Sequence, residues 1–181
     1  MRWPDRDAPA IELAGHELRR VTAADEPALQ AMLASDPAYF RLAEGAPPRP
    51  TEAHEVLTEL PPGHPAERKH VWALFAADGP LAVIDILEGY PDAESWYLGL
   101  IFVAPAARDG RLGTTILASL AEHVVESGGT KLRLAVVSAN LGARRLYDRL
   151  GFTFVDRRIR TAWSGAAIEC DVLERALTSS A

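Results

Sequence analysis

The sequence predicts a mixed α/β fold, a mixed β-sheet with helices on its faces. Three observations carry this. A hairpin-rich run of apolar strands occupies residues 70–103; a strand–helix–strand unit follows, from "SWYLGLIFVAP" to "KLRLAVV"; and amphipathic helical patterns lie both before and after. Hairpins make antiparallel neighbours and a crossover helix makes a parallel pair, so the two together require a mixed sheet.

Along the chain, "IELAGHELRRV" reads as a first strand with a turn at Gly15 and His16. Thr22 is placed to cap the next helix, with Asp25 three residues on and Leu29, Met32 and Leu33 forming its apolar stripe. After Asp36-Pro37, "AYFRLAEGAPPRP" is expected to be a proline-rich bend, and "TEAHEVLTEL" a short second helix stopped by "PPGHP". "HVWALFAA" and "PLAVIDILEGY" flank Asp78-Gly79, a pair suited to a tight hairpin, and "SWYLGLIFVAP" adds a third strand. In "RLGTTILASLAEHVVESGG", Leu112, Ile116, Leu120 and Val124 step by four, Leu117 and Ala121 widen the face, and Gly128-Gly129 closes the helix. "KLRLAVV" alternates as a strand, "NLGARRLYDRLG" is a helix ending at Gly151, and "FTFVDRRIRTAW" and "AAIECDVL" are closing strands. The expected order is strand, two helices, three strands, helix, strand, helix, two strands.

At 181 residues the chain is expected to form one domain, residues 1–181, with a full core. A hydrophobic share of 48% and a charged share of 24% match a soluble globular protein. No apolar run approaches the ~18 residues of a membrane span, and "MRWPDRDAPAIEL" has no apolar core of a secretory signal, so a cytoplasmic location without a membrane partner is expected. A net charge of −6 argues against a nucleic-acid partner and suits a cationic one such as an amine. The single cysteine, Cys170, excludes an internal disulfide and reads as a buried structural thiol in a late strand. His16, His54, His64, His70 and His123 form no i, i+4 pair, so no metal site is expected.

Two segments carry chemistry. In "VAPAARDGRLGTTIL", Arg108 and Arg111 stand around Gly110 at the mouth of a helix, where they oppose the positive end of the macrodipole. Unpaired N–H groups, close-approach glycines and two guanidinium groups suit a phosphate there; solvated arginines in a plain loop are the alternative. Neither a P-loop nor a G-x-G-x-x-G fingerprint is present. In "VVSANLGARRLYDRLGF", Asn140 and Tyr147 lie seven residues apart, on one helix face. They also read as a helix cap and a packed aromatic.

Together the two segments resemble the GCN5-related N-acetyltransferase (GNAT) family. The first is similar to its acetyl-CoA signature, "V-x-P" followed by [QR]-x-x-G-x-[GA], standing here as Arg108-Asp109-Gly110-Arg111-Leu112-Gly113. The second is similar to "N-x-x-A-x-x-x-Y-x-x-x-G-F", matched by Asn140, Ala143, Tyr147, Gly151 and Phe152. Two departures are visible. Arg111 replaces the family's middle glycine, with Gly110 one position earlier, and Ala135 stands where some N-terminal-protein acetyltransferases carry a glutamate.

The resemblance implies a mostly antiparallel sheet with a splayed parallel pair, and acetyl-CoA as cosubstrate. The main chain of Ile101, Phe102 and Val103 would hold the pantetheine, Arg108 to Gly113 with Thr114 would hold the pyrophosphate, and Asn140 would be a further cofactor-binding residue. The implied activity is acetyl transfer to a primary amine, of a small metabolite, a drug or a protein, by direct attack, with Tyr147 as general acid. A non-catalytic module that binds or senses acyl-CoA is the alternative. Asp85, Glu88 and Glu94 are candidate bases that also read as strand-end or structural residues; Glu88 leads because a pocket can open at its strand end. The acceptor would enter from the other side, near Tyr39, Phe40, Tyr90, Trp96 and Trp163. Arg157, Arg158 and Arg160 form a basic patch, either solvated or facing a ribose phosphate, and an exposed sheet edge makes a homodimer the default.

Overall fold

The computed structural model describes residues 1–5 and 8–178, apart from the side chains at 109 and 110. Among these residues eight strands form one sheet: β1 (Ile11–Leu13), β2 (His16–Arg20), β3 (Lys69–Ala76), β4 (Gly79–Glu88), β5 (Ser95–Val103), β6 (Lys131–Val137), β7 (Thr153–Thr161) and β8 (Ala167–Ala176). Their spatial order is β1-β2-β3-β4-β5-β6-β8-β7, antiparallel throughout except for the β5–β6 pair. Helices α1 (Glu26–Ala34), α2 (Pro37–Glu44) and α3 (Glu52–Thr58) cover one face, and α4 (Leu112–Glu126) and α5 (Leu141–Arg149) the other.

The period of two along the strands builds both layers. Trp72, Leu74, Ala82, Ile84 and Ile86 point toward Ile116, Leu117 and Leu120 of α4. Val71, Ala73 and Val83 point the other way, toward Leu29, Leu33 and Ala53 of α1 and α3. Among the described residues no helix is long and apolar enough to cross a membrane.

Two elements differ from the sequence expectation. The first strand is a hairpin, because Ala14 and Gly15 both take left-handed backbone (φ 55° and 79°) and reverse the chain in two residues. The proline-rich bend begins with α2. Asp36 caps it by accepting a hydrogen bond from the Tyr39 N–H at 3.0 Å, Pro37 fills the first helical position, and Gly45 ends it at φ 73°. Cap, proline and terminal glycine are ordinary helix signals, and the later prolines belong to the loop beyond.

The N-terminal segment packs on the C-terminal half of α4. Trp3 is buried; its N–H donates to His123 Nδ1 at 3.0 Å and its indole N–H to Ser119 Oγ at 2.8 Å. Burial, then the neighbouring His70, pulls the His123 imidazole down to about 4, against an ordinary 6.5. Between those values the unfolded chain binds a proton that the folded chain refuses, so each unit of acidification favours unfolding by about 1.4 kcal/mol. Above pH 6.5 neither state is protonated and the effect vanishes. The Asp85 carboxyl, raised to about 6, works in the opposite sense over the same window, so the His123 share is read by comparison: between pH 6.5 and 4.5 the wild-type urea midpoint is expected to fall relative to that of His123→Gln. An equally steep profile in the variant would assign the acid sensitivity to other groups.

Candidate active site

The site begins with a bulge. Asp85 of β4 lies opposite Leu100 and Ile86 opposite Leu98, so Gly99 is an extra residue in β5. It breaks the alternation of side chains: Leu98 joins the α4 layer, whereas Leu100 and Phe102 join the α1–α3 layer. A Cβ at Gly99 would sit 2.9 Å from Asp85 Oδ2, so close approach of the carboxylate requires glycine there. The parallel pairing of β5 with β6 stops at Leu98↔Leu134, one residue earlier. Residues 99–103 then have no strand partner on that side, and their outward main-chain groups face an open gap. A cavity of about 670 Å³ occupies this region, lined by Ile101, Leu134, Val136, Asn140 and Tyr147 toward α5, and by Tyr39, Glu59, Asp85 and Trp163 on the opposite side.

At the end of β5 the chain makes a 3-10 turn, Pro105–Gly110, and passes through Arg111 into α4. The α4 ladder opens with the bond from Thr115 N–H to Arg111 O at 3.0 Å, which leaves the N–H groups of Leu112, Gly113 and Thr114 without intrahelical acceptors. Such a row of donors suits a diphosphate. Gly113 is not demanded by packing, since an added Cβ would meet only Leu146 Cδ2 at 3.8 Å; its bare backbone keeps the approach open. Leu112 is buried and Thr114 half-buried. Asp109 and Gly110 lie in the 3-10 turn, and their side-chain surroundings fall outside the described residues.

The two arginines of the turn part company. Arg108 donates from Nε to Val103 O at 2.9 Å, and its Nη1 lies 2.6 Å from Asp36 Oδ2. It braces the end of β5 against the cap of α2 rather than projecting free into the turn. Arg111 is exposed, has no ion pair among the described residues, and takes left-handed backbone at φ 61°. That conformation costs a non-glycine residue about 1–2 kcal/mol, more than the ~0.5–1 kcal/mol of extra chain entropy that glycine brings. Arg111→Gly is expected to raise the urea midpoint; a lowered midpoint would mean that the arginine side chain stabilises the turn by more than its strain.

On the α5 wall, Asn140 caps the helix, its Oδ1 accepting from Ala143 N–H at 3.1 Å. Two turns on, Tyr147 is buried, in edge contact with Phe152. Its hydroxyl has no hydrogen-bond partner among the described residues, and burial pushes the phenol well above its ordinary range, so it stays protonated.

On the opposite wall the expected base is displaced. Glu88 does not line the cavity; its Oε2 lies 3.0 Å from Nε2 of His70, whose ring is stacked between Trp72 and Trp96 in the α4 layer. Asp85, three residues earlier, faces the cavity, because an odd separation in a strand reverses the face. Lys69 Nζ donates to Asp85 Oδ1 at 2.6 Å, and burial, opposed by this ammonium, raises the carboxyl to about 6. Glu94 precedes β5 and does not line the cavity. Trp96 is a core residue rather than a cavity one, whereas Tyr39, Phe40, Tyr90 and Trp163 do line it.

The outer wall comes from the β7–β8 hairpin. Arg160 bonds Glu44 and the Ala43 carbonyl, both at 2.6 Å, Ser164 bonds the Glu44 carbonyl, and Arg49 lies over the Trp163 ring. The basic patch is thus internally paired, with Arg157 on Asp171 and Arg158 on Asp156. Cys170 is buried and lines the cavity, and burial raises its thiol. Sequence reasoning passed over Lys69, Gly99, Arg49 and Glu59. Lys69 and Gly99 do carry signals, a cation at the head of an apolar strand and a glycine inside one, but Lys69 points to Asp85 only once the β3–β4 register pairs Val71 with Asp85.

Residues 29–152 match the model of the acetyltransferase (GNAT) family. Over 73 residues the chain is 32% identical to N-alpha-acetyltransferase 30 of Dictyostelium discoideum, a match covering 40% of each protein. An acetyltransferase from Thermus thermophilus is similar in fold at a TM-score of 0.72, with 24% identity, over 92% of this chain and 100% of that one. The ribosomal-protein-S18-alanine N-acetyltransferase from Escherichia coli aligns at 0.66 and 18% identity, over 92% of this chain and 96% of that one. The yncA protein from Salmonella typhimurium, solved with its cofactor acetyl-CoA, aligns at 0.62 and 15% identity, over the same two shares, 92% and 96%.

Proposed function

The chain belongs to the GNAT acetyltransferase family, and on that premise we propose that it is an acetyl-CoA-dependent N-acetyltransferase acting on a primary amine by direct attack. The observation that carries the reading is the pairing of walls in one cavity: an unpartnered, protonated phenol on α5 faces a gap in the sheet whose other wall holds the Asp85 carboxylate.

The N–H groups of Leu112, Gly113 and Thr114 would hold the pyrophosphate, with Arg111 adding charge from outside. The free main chain of residues 99–103, which includes Ile101, Phe102 and Val103, would hold the pantetheine arm and offer a donor to the acetyl oxygen as negative charge builds on it. Acetyl-CoA, when bound, supplies the thioester. An amine with an ordinary pKa near ~10.4 arrives as the ammonium and must lose a proton before its lone pair can attack. Asp85 takes the place expected of Glu88 as the acceptor of that proton. Tyr147 donates its hydroxyl proton to the sulfur as the C–S bond breaks, and the second proton shed by the nitrogen as the new C–N bond becomes an amide restores the phenol. The acceptor end carries Glu44, Glu52, Glu55, Glu59 and Asp85 against Arg49 and Arg160, a surplus of carboxylates that supports a cationic acceptor.

The test is a calorimetric titration with acetyl-CoA, followed by a panel of amines assayed for thiol release. Micromolar binding with turnover of at least one amine supports the reading. Binding without turnover of any amine would support an acyl-CoA sensor, and no binding by the folded protein would overturn both.

A further inference from the structure

We propose that Lys69 is a positioning residue for acetyl transfer, holding the Asp85 carboxylate ionised and seated over the Gly99 bulge. The inference rests on the transfer reading above.

The geometry is specific. Lys69 and Asp85 expose only 6% and 14% of their side chains, and Lys69 Nζ lies 2.6 Å from Asp85 Oδ1. The other oxygen, Oδ2, has no hydrogen-bond partner among the described residues and sits against the backbone of Gly99, where a Cβ would approach to 2.9 Å. One oxygen is thus anchored from behind by β3 while the other is left beside the cavity. Burying an isolated ion pair is rarely a net gain in stability, since desolvation offsets the attraction. The pair makes sense if the carboxylate has a task that needs its charge.

Charged and titratable groups approach Asp85 from three elements. Lys69 comes from β3, Glu59 from the segment after α3, and β5 contributes the neutral Tyr97 phenol to the same cavity. Glu59 and burial both favour the protonated acid; Lys69 alone opposes them. Without Lys69 the carboxyl would hold its proton through neutral pH and could not accept another. With it, Oδ2 takes the ammonium proton, the amine lone pair attacks, and the carboxylic acid returns the proton to water after product leaves.

The experiment is the pH dependence of kcat/KM for the wild type and Lys69→Met, on the amine found by the panel. The wild-type acid limb is expected near pH 6, and Lys69→Met should move it upward by a unit or more while activity recovers at high pH. Lys69→Arg should bring the limb back toward the wild-type position. A loss through mere structural damage would lower activity equally at all pH values and leave the limb in place, which overturns the role. If Lys69→Met does not fold, Gly99→Ala reads the same geometry, because the added methyl displaces Oδ2 without altering any charge. It should lower kcat at least tenfold, and an unchanged kcat overturns the role. An active wild type with an unmoved limb defeats this inference alone. A wild type that acetylates no amine defeats the transfer reading, and this role with it.

Discussion

Tyr147→Phe is expected to lower kcat by about 10²–10³-fold while leaving the acetyl-CoA affinity and the urea midpoint nearly unchanged. The substitution removes one hydroxyl and keeps the ring that packs against Phe152. That hydroxyl has no partner among the described residues, so its loss orphans no other group, and stability should hold or rise slightly. Burial keeps the phenol protonated far above neutral pH, which suits a donor and excludes a resting base. Only the step in which sulfur gains negative charge depends on that proton. Single-turnover kinetics with saturating acetyl-CoA would measure it. An unchanged rate would mean that the thiolate leaves without help from Tyr147 and that the residue is there to pack.

Gly113→Asp should separate stability from binding in the opposite way. Position 113 lies in the first turn of α4, where a carboxylate interacts favourably with the helix dipole, by about 0.3–1 kcal/mol, and where replacing glycine adds about 0.5–1 kcal/mol. The nearest atom to the new Cβ is 3.8 Å away, so nothing needs to move. The urea midpoint should therefore rise. The same carboxylate occupies the donors proposed for the pyrophosphate and repels it; at ~4 Å and an effective dielectric of ~20 that repulsion is about 4 kcal/mol per charge pair. Even after screening by solvent, acetyl-CoA affinity should drop by about 100-fold or more in calorimetric titration. A stabilised protein that still binds acetyl-CoA tightly would place the diphosphate somewhere other than the α4 turn.

Both predictions concern residues that were legible as sequence. The α4 turn is a contiguous stretch, and Asn140 and Tyr147 are joined by a single helix whose period puts them on one side. The β3–β4 hairpin, α4, β6 and α5 were readable for the same reason, because apolar spacing and turn residues act within a few positions. Helix α2 could have been read too: its cap at Asp36, the proline at 37 and Gly45 were present but outweighed by the prolines that follow. The β1–β2 turn was harder, since Ala14 adopts a left-handed backbone that its side chain does not advertise.

The opposite wall of the cavity was not legible. Choosing between Asp85 and Glu88 requires knowing which face of β4 turns toward the gap, and placing Trp96 in the core rather than the cavity requires the same knowledge of β5. The single extra residue at Gly99 reverses the side-chain alternation of β5 midway; a glycine inside "YLGLIFV" marks where a bulge can form, but not which side chains then turn to which face. Likewise Arg108 looked free in the sequence, yet it reaches Asp36 across more than seventy positions of chain.

The sequence by itself thus determined the mixed sheet, the family and the two helices, α4 and α5, that flank the cavity, because each is written in contacts only a few residues apart. The tertiary structure alone decided which carboxylate faces the cavity, which lysine holds it and where the outer wall closes. Those depend on strand register and on one bulge, and register is set by the packing of whole layers rather than by any local spacing.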